Sequence, residues 1–367
     1  MVIGIPGEIK TNENRVSATP AGVSSLSIRG HSVIVQSGAG EGSGFLDSEY
    51  AEAGAEIVDS AHEIFMRADM IVKVKEPQPS ECEMLREGQI LFTYLHLASS
   101  VELTKALLDR KVTGIAYETV QLDDGSLPLL IPMSRIAGRL SVQVGADLLL
   151  KYKGGRGILL GGSPGVEAGK VLIIGAGTVG ESAARIAVGL GAKVTVMDIN
   201  PVKLAWIDEH YQGRINTLYS NEYEIAAQVR KADLLIGAVL VPGAKAPKLV
   251  SEDMVMTMKN GSVIVDVAID QGGSIETIDR ATTHENPSYV KHGVVHYSVA
   301  NMPGAVPRTS TKALEGATLP YIALVADKRL VAFGGNKALK LGLNTYNGML
   351  TNEAVAESHG MKYTPFK

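Results

Sequence analysis

The chain has 367 residues, with 35 Lys and Arg, 39 Asp and Glu and a formal net charge of -4 at pH 7. A chain of this length is expected to form about two domains, each large enough to bury its own core. The near-neutral charge, without basic runs, argues against a face that binds nucleic acid. The single cysteine, Cys82, cannot form a disulfide within the chain and fits a reducing compartment.

The N-terminal residues predict a strand and not a targeting signal. Residues 1–8 lack the basic start and the long apolar core of a signal peptide. No apolar stretch in the sequence approaches the roughly 20 residues needed to cross a bilayer. We therefore predict a cytoplasmic protein that has neither a membrane nor a nucleic acid as its partner.

The first third of the chain contains short runs of Val, Ile and Leu, separated by segments long enough for crossover helices. This pattern predicts a parallel sheet that is buried on both faces. The predicted strands lie at residues 2–5, 32–36, 70–74, 90–95 and 113–117. A long helix is predicted next, at 134–151, because apolar residues recur there every four positions.

A second series of strands follows the glycine-rich segment 154–169. Six strands, with helical segments between several of them, predict a doubly wound dinucleotide-binding fold. They lie at 171–174, 193–197, 215–219, 233–239, 262–267 and 294–299. From Thr309 onward the pattern is mainly helical, and the hydroxyls of residues 309–311 are predicted to form an N-cap. The fold class is therefore α/β, with two doubly wound domains.

A glycine-rich turn joins the first strand and first helix of the second series and predicts a dinucleotide site. In the pattern G-x-G-x-x-G, Gly175 permits the turn, Gly177 lets the backbone approach a pyrophosphate, and Gly180 lets helix and strand pack closely. The next strand ends at Asp198, which can accept hydrogen bonds from a ribose and would repel a 2′-phosphate. This favours NAD over NADP, while a Rossmann-like turn without a cofactor is the alternative.

Polar residues follow several strands of the first series. Lys75, His96 and Glu118 come at strand ends, and Arg15 lies in the loop after the first strand. Taken singly, such residues are usually solvated charges or hydrogen-bonded core residues. If the strands are adjacent, however, the cations surround one cleft suited to a small anionic substrate. Histidine exchanges protons near neutral pH, and arginine can bind a carboxylate through two hydrogen bonds.

Two further features have both a structural and a functional interpretation. Asp270 ends a strand before a glycine pair, where it can cap a turn or face the cofactor. Met133 and Met302 lie at the inferred crossings between the domains. Methionine at such positions normally packs, and here it can also form a wall of the nicotinamide site.

Sequence blocks in a fixed order along the whole chain carry a family resemblance. They are residues 4–16 (GIPGEIKTNENRV), 74–77 (VKEP), 93–98 (TYLHLA), 132–138 (PMSRIAG), the glycine turn with Asp198, 267–273 (VAIDQGG), 299–304 (VANMPG) and 342–348 (GLNTYNG). In these blocks the chain resembles the alanine dehydrogenase family, which also contains the nicotinamide-binding part of proton-translocating transhydrogenase.

The resemblance implies a domain organisation and a reaction. A central Rossmann domain at 131–305 would bind NAD, and residues 1–130 with 306–367 would form a discontinuous substrate domain. The implied reaction is the reversible oxidative deamination of L-alanine to pyruvate and ammonium with reduction of NAD, without a metal. Many members of the family are homohexamers.

Site residues are implied by the same resemblance. Arg15 and Lys75 would bind the carboxylate and carbonyl side of the substrate, His96 would be the general acid/base, and Asp270 would act beside the nicotinamide. The NAD site would be formed by Ser134, Gly175, Gly177, Thr178, Val179, Gly180, Asp198, Lys203, Ser220, Val239, Leu240, Val267, Asp270, Arg280, Val299, Asn301 and Met302.

Three other functions use the same fold. A transhydrogenase-like subunit would bind NAD for a membrane partner, and a 2-hydroxy acid dehydrogenase would reduce pyruvate without ammonium. An NAD-sensing or structural module would need the glycine turn alone. The set Arg15, Lys75 and His96 separates the substrate-binding enzymes from the others, because hydride exchange between nucleotides requires no substrate cations.

Overall fold

The computed structural model describes residues 1–239, 246–269 and 272–366. The chain divides into two compact units: unit 1 comprises Met1–Met133 and Val306–Lys367, and unit 2 comprises Ser134–Ala305. The chain passes from the first to the second within one helix, α6 (Ile131–Leu148). Within the described ranges, no helix is both long and apolar enough to cross a membrane.

Unit 1 is built on a sheet of eight strands. In chain order they are β1 (Val2–Ile5), β2 (Ser32–Gln36), β3 (Ala55–Val58), β4 (Met70–Val72), β5 (Ile90–Thr93), β6 (Thr113–Ala116), β14 (Leu343–Tyr346) and β15 (Met349–Leu350). Their spatial order is β15-β14-β6-β5-β4-β1-β2-β3. The first six strands pair in parallel, and β14 runs antiparallel to both β6 and β15.

Helices of unit 1 connect the parallel strands and complete the unit near the C-terminus. They are α1 (Pro20–Ile28), α2 (Asp47–Glu52), α3 (Ala61–Arg67), α4 (Pro79–Met84), α5 (Val101–Asp109), α11 (Pro307–Lys328), α12 (Val331–Gly335), α13 (Lys337–Gly342) and α14 (Glu353–His359). A core of fully buried Ile, Leu, Val and Phe side chains from strands and helices lies against this sheet. Burial of the strands explains their continuous apolar runs.

Unit 2 is built on a sheet of seven strands. They are β7 (Lys170–Ile174), β8 (Lys193–Asp198), β9 (Ile215–Tyr219), β10 (Leu234–Gly237), β11 (Val263–Asp266), β12 (Ser288–Lys291) and β13 (Val294–Tyr297). The spatial order is β12-β13-β11-β10-β7-β8-β9, and among the described strands of this sheet only β12 and β13 pair antiparallel. Besides most of α6, the described helices of this unit include α7 (Thr178–Gly189), α8 (Pro201–Tyr211), α9 (Glu222–Val229) and α10 (Glu252–Met256).

The six parallel strands of unit 2 have the order of a Rossmann fold. Counted along the chain, β9-β8-β7-β10-β11-β13 is the 3-2-1-4-5-6 arrangement, whose order reverses between β7 and β10. The α/β class with two doubly wound domains is confirmed. Ligands of such sheets bind beyond the carboxyl ends of the strands, at the reversal point.

The structure differs from the sequence prediction at several elements. The sequence pattern predicts no strand at β3, β12, β14 or β15, and three of these four strands lie at sheet edges. The predicted N-cap at 309–311 is wrong, because α11 begins at Pro307 and these hydroxyls lie inside its first turns. Proline is pre-organised for the first helical position. The hydroxyl of Thr311 instead accepts the backbone N–H of Val16 at 3.1 Å.

Candidate active site

Four neighbouring strands of unit 1 bring the predicted substrate residues to one edge of the sheet. The strands β6, β5, β4 and β1 are adjacent, and all run in the same direction. Arg15 lies in the loop after β1, Lys75 follows β4, His96 follows β5 and Glu118 follows β6. The adjacency on which the sequence argument depended is therefore present, and these residues share the carboxyl edge of the sheet.

Arg15 is a buried cation whose orientation is fixed by Glu13. Its side chain is 2% exposed, and its Nε and Nη2 donate to the two Glu13 carboxylate oxygens at 2.6 and 2.5 Å. The same carboxylate accepts the backbone N–H of Arg15 at 3.0 Å. Nη1 lies 3.1 Å from the Met133 sulfur. A bidentate pair of this kind holds the guanidinium plane in one orientation.

Lys75 is a half-buried ammonium near two other cations, Arg15 and Lys10. Burial lowers the pKa of Lys75, and the charges of Arg15 and Lys10 lower it further, against the opposing charges of Glu13 and Glu76. Lys10 itself is paired with Glu76. The positive charges of Lys75 and Arg15 repel each other. An anion bound beside them would offset this repulsion and would be stabilised by both cations. This arrangement suits the carboxylate of a small acid.

His96 presents an accessible imidazole on a constrained backbone. Its side chain is 46% exposed, and its φ of +49° lies in the left-handed region. Its backbone N–H donates to Glu118 Oε1 at 2.6 Å, and Nδ1 is 3.9 Å from the same oxygen. The ring stacks on Tyr94, with centroids 5.8 Å apart. The hydroxyl of Tyr94 donates to the Leu129 carbonyl at 2.7 Å, which fixes that ring.

A cavity of about 450 Å³ within unit 1 has His96 in its wall. Apolar Leu95 and Leu103 line it together with Glu76 and Glu102. The volume is within the range of small-molecule sites, which combine apolar walls with a few polar groups. His96 is thus accessible from this cavity, whereas Arg15 and Lys75 do not line it.

The glycine turn of unit 2 leaves room at the N-terminus of α7. Gly175 has a φ of +107°, and a Cβ there would lie 2.6 Å from the Ala238 carbonyl oxygen. A Cβ on Gly180 would lie 1.8 Å from the Gly175 carbonyl oxygen. At Gly177, by contrast, no atom lies within 4 Å of the position that a Cβ would occupy. Phosphate oxygens can therefore approach the backbone N–H groups at the start of the helix, and the turn fits a dinucleotide.

Asp198 is fixed beside this turn by hydrogen bonds to the backbone. It is the last residue of β8, and its Oδ2 accepts the N–H of Ala176 at 2.6 Å. Its Oδ1 accepts the N–H of Asn200 at 2.8 Å. A carboxylate has about four acceptor sites, so both oxygens keep acceptor capacity for ribose hydroxyls. The position matches the acidic residue that binds the ribose in NAD-binding Rossmann folds.

Most of the remaining predicted cofactor residues lie at the same edge of the unit 2 sheet. The strands β9, β10, β11 and β13 are followed by Ser220, Val239, Val267 and Val299, respectively. Thr178 and Val179 open α7, and Lys203 lies in the first turn of α8. These positions surround the carboxyl ends of the six parallel strands. Leu240 and Asp270 lie outside the described residues.

Four further predicted cofactor residues do not follow a strand directly. Ser134 lies on α6, Asn301 has a φ of +59°, and Met302 is buried. The guanidinium of Arg280 lies 4.3 Å from the Tyr289 ring centroid and pairs with Asp279 at 3.1 Å. Arg280 is therefore held on unit 2 by its own neighbours.

Three residues acquire a structural role that the sequence analysis did not give them. Glu13 fixes the orientation of Arg15. The sequence does contain a signal for this pair, because the two opposite charges lie two positions apart. Tyr94 precedes His96 by two positions. Asp266, which is fully buried, accepts the N–H groups of Ser274 at 2.7 Å and Ile275 at 3.1 Å, two residues that follow position 270 in the chain. No pattern in the sequence distinguishes it from a turn cap.

Family models match both parts of the chain. Residues 4–137 match the alanine dehydrogenase/PNT N-terminal domain, and residues 141–353 match the alanine dehydrogenase/PNT C-terminal domain. The chain is 62% identical over 366 residues to an alanine dehydrogenase of Methanococcus maripaludis, covering 100% of this chain and 98% of that protein. It is 60% identical over 365 residues to an alanine dehydrogenase of Staphylococcus haemolyticus, covering 99% and 98%.

Two solved structures agree with this similarity. An L-alanine dehydrogenase structure aligns with a TM-score of 0.96 at 52% identity, covering 98% of this chain and 99% of that one. A transhydrogenase structure from Sinorhizobium meliloti aligns with a TM-score of 0.82 at 26% identity, covering 96% and 100%. Both matches extend over the two units of the chain.

Proposed function

The chain belongs to the alanine dehydrogenase/PNT family, and we propose on that premise that it catalyses the reversible oxidative deamination of L-alanine to pyruvate and ammonium with NAD. Identity of 60% or more to alanine dehydrogenases, over nearly the full length of each chain, is the observation that carries this proposal. The cationic carboxyl edge of unit 1 supports it, since both alanine and pyruvate carry a carboxylate.

In the proposed site, Arg15 and Lys75 bind the substrate anion. Arg15 is buried and oriented by Glu13, so it offers a fixed guanidinium to the carboxylate. Lys75 supplies a second cation, which would face the carbonyl side of pyruvate. Burial and the charge of Arg15 both lower the pKa of Lys75, and an anion bound between the two cations would raise it again.

His96 is proposed as the general acid/base. Its imidazole is accessible, and Glu118 and Tyr94 limit the movement of its backbone and ring. In the deamination direction it would accept a proton as the substrate nitrogen is exchanged for oxygen, and in the amination direction it would return one. Such proton transfer contributes about 10² to 10⁴ in rate. Asp270, outside the described residues, is proposed to act beside the nicotinamide.

Members of this family use pyridine nucleotides, and we propose NAD as the cofactor of this chain. When bound, its nicotinamide would supply the hydride-transfer chemistry of the reaction. The open position above Gly177 fits the pyrophosphate, and Asp198 fits the ribose hydroxyls of NAD and would repel the 2′-phosphate of NADP. The other residues proposed for the cofactor site are Ser134, Thr178, Val179, Lys203, Ser220, Val239, Leu240, Val267, Arg280, Val299, Asn301 and Met302.

A transhydrogenase-like, NAD-binding subunit is the second candidate. The alignment with a transhydrogenase at a TM-score of 0.82 favours it as an alternative. It ranks second because a subunit that exchanges hydride between nucleotides has no use for the substrate cations Arg15 and Lys75. A homohexamer and a cytoplasmic location stay predictions, the first to be checked by light scattering of the purified protein.

Oxidation of NADH with pyruvate, in the presence and absence of ammonium, tests the proposal. We expect turnover that requires ammonium and strongly prefers NADH to NADPH. Turnover without ammonium would instead identify a 2-hydroxy acid dehydrogenase. Binding of NADH without turnover in either mixture would favour the transhydrogenase-like subunit or an NAD-sensing module.

A further inference from the structure

Three charged side chains form a buried network beneath the proposed substrate site. Lys73 directly follows β4, and its side chain is 1% exposed. Its Nζ lies 3.1 Å from Glu8 Oε2 and 2.7 Å from Glu81 Oε1, and both of these side chains are 2% exposed. Buried charges are costly and are rarely kept unless they are paired. The network therefore calls for an explanation beyond the packing of the core.

The Glu8 carboxylate binds three consecutive residues. Besides the ammonium of Lys73, it accepts the backbone N–H of Val74 at 2.6 Å on Oε1 and that of Lys75 at 3.4 Å on Oε2. If Glu8 served only to neutralise Lys73, the ion pair with the Lys73 ammonium would be sufficient. The two backbone contacts fix the path of the chain from the end of β4 to Lys75.

Glu81 fixes the same segment from its other side. Its Oε1 binds Lys73, and its Oε2 accepts the N–H of Gln78 at 2.8 Å at the start of α4. Segment 73–78 is therefore anchored at both ends to one buried network. Lys75, which lies between the anchors, projects from a backbone with little freedom to move.

Burial and electrostatic repulsion both disfavour the charged form of Lys75 at its position. Burial and the charges of Arg15 and Lys10 lower the pKa of Lys75, so its ammonium is placed where it is destabilised. A long lysine side chain on a free loop would move its charge into water. Something in the fold must hold this residue in place, and the contacts of Glu8 do so directly through the backbone.

We propose that Glu8 is a positioning residue for the substrate site: its buried carboxylate fixes residues 73–75 and so holds the Lys75 ammonium beside Arg15. The identity of the anion that the two cations bind rests on the proposed function, whereas the positioning itself does not. Glu8 acts on the reaction only through Lys75.

The direction in which the pKa of Lys75 changes in the variant E8Q distinguishes positioning by Glu8 from a simple charge effect. In E8Q an NH₂ donor replaces one of the two acceptor oxygens, so only one of the backbone N–H groups of Val74 and Lys75 keeps its acceptor and the hold on this segment weakens. If Glu8 positions Lys75, the loosened ammonium moves toward water and its pKa rises toward the ordinary value. If Glu8 acted only as a nearby negative charge, its removal would lower the pKa of Lys75 further.

Competitive labelling of Lys75 with acetic anhydride over a range of pH measures this pKa without any enzymatic activity. We expect a rise of about one unit in E8Q relative to the unchanged chain. E315Q is the matched control, because Glu315 is also buried and accepts the N–H of Thr19 at 2.6 Å, far along the chain from Lys75. Its Lys75 profile should not change. An unchanged or lowered pKa in E8Q would overturn the proposal.

Kinetics provide a second readout. We expect the KM for pyruvate to rise about tenfold in E8Q, with a smaller change in kcat and an unchanged Kd for NADH, since a misplaced cation costs mainly substrate binding. An equal loss of NADH binding would mean a general structural role and contradict the proposal. Absence of turnover in the unchanged chain would refute the proposed function instead, and the labelling result would still decide the role of Glu8.

A variant in which the whole network is uncharged tests the proposal if E8Q fails to fold. Removal of Glu8 alone leaves Lys73 with one partner, whereas E8Q/K73M/E81Q replaces the whole network by neutral side chains of similar size. The triple variant leaves no buried charge without its partner, and an unpaired buried charge is the main reason why removal of a single partner is strongly destabilising. We expect this variant to show the same rise in the pKa of Lys75. A folded variant with the original pKa would overturn the proposal.

Discussion

The backbone of His96 is held in a conformation that a residue with a side chain rarely adopts. Its φ of +49° costs about 1 to 3 kcal/mol, and the short hydrogen bond from its N–H to Glu118 offsets part of that cost. Glu118 also accepts the N–H of Leu95 at 3.2 Å. The orientation of the imidazole is thus set by a neighbouring strand end and not by His96 alone.

Replacement of His96 tests its role as general acid/base. H96A should reduce kcat by about 10² to 10⁴, because proton transfer loses its donor and acceptor. The Kd for NADH, measured by fluorescence, should stay unchanged. H62A is the control, since His62 is exposed on α3 and should leave the kinetics unaltered. Unchanged turnover in H96A would remove His96 from the mechanism.

Asp198 is expected to set the preference between NADH and NADPH. In D198N the negative charge near the 2′ position is lost, so the ratio of kcat/KM for NADH to that for NADPH should fall by about tenfold. Steady-state kinetics with both nucleotides measure this ratio. D208N changes an exposed carboxylate on α8 and should leave it unaltered. An unaltered ratio in D198N would show that discrimination comes from another group.

Close packing of β7 and α7 depends on the absence of a side chain at Gly180. In G180A the new methyl group would meet the Gly175 carbonyl oxygen at 1.8 Å and Ile173 at 3.3 Å, so the helix must move away from the turn. We expect a loss of about 1 to 3 kcal/mol in the free energy of unfolding and weaker NADH binding. Urea unfolding and fluorescence titration measure these quantities.

Helix α7 also contains Gly189, which provides the matched control for G180A. At Gly189 a methyl group would meet no atom within 4 Å. G189A should therefore leave NADH binding unchanged and stabilise the protein by up to about 1 kcal/mol through helix propensity. Equal NADH affinities of the two alanine variants would contradict the packing argument for Gly180.

The elements that the sequence predicts well are the buried ones. Central strands such as β4, β5 and β7 are covered on both faces, so they appear as continuous apolar runs. The strands β3 and β12 escaped prediction because they lie at sheet edges and are partly exposed, and their mixed polarity does not distinguish them from loops. The pairing of β14 with β6 joins segments more than 220 residues apart, which no local pattern signals.

The candidate site could be predicted in part for the same reason. Arg15, Lys75 and His96 follow buried strands, and strand order alone brings them to one edge. Glu8 and Lys73 carry no such signal, because a charged residue in a sequence is expected to be exposed. Only the folded chain shows that these two neutralise each other in the core of unit 1.

At the scale of the whole molecule, unit 2 is contiguous and contains every described residue proposed to bind NAD. A fragment of residues 131–305 should therefore fold and bind NADH. It should not oxidise NADH with pyruvate and ammonium, since Arg15, Lys75 and His96 are absent from it. Circular dichroism and fluorescence titration check the first expectation. A folded fragment without NADH affinity would show that the cofactor needs residues of unit 1.

Unit 1 begins and ends with the two ends of the chain, so it cannot be completed in the order in which it is synthesised. The N–H of Gly114 on β6 finds its acceptor in the hydroxyl of Thr345, at 3.1 Å. On the ribosome, all of unit 2 emerges before Thr345 exists. Domains usually finish folding in the order of their emergence. In this chain unit 2 is complete before unit 1, and the edge of β6 stays unpaired until β14 has been synthesised. An unpaired strand edge promotes aggregation, so we expect the first 133 residues to be the part of the nascent chain most prone to aggregate.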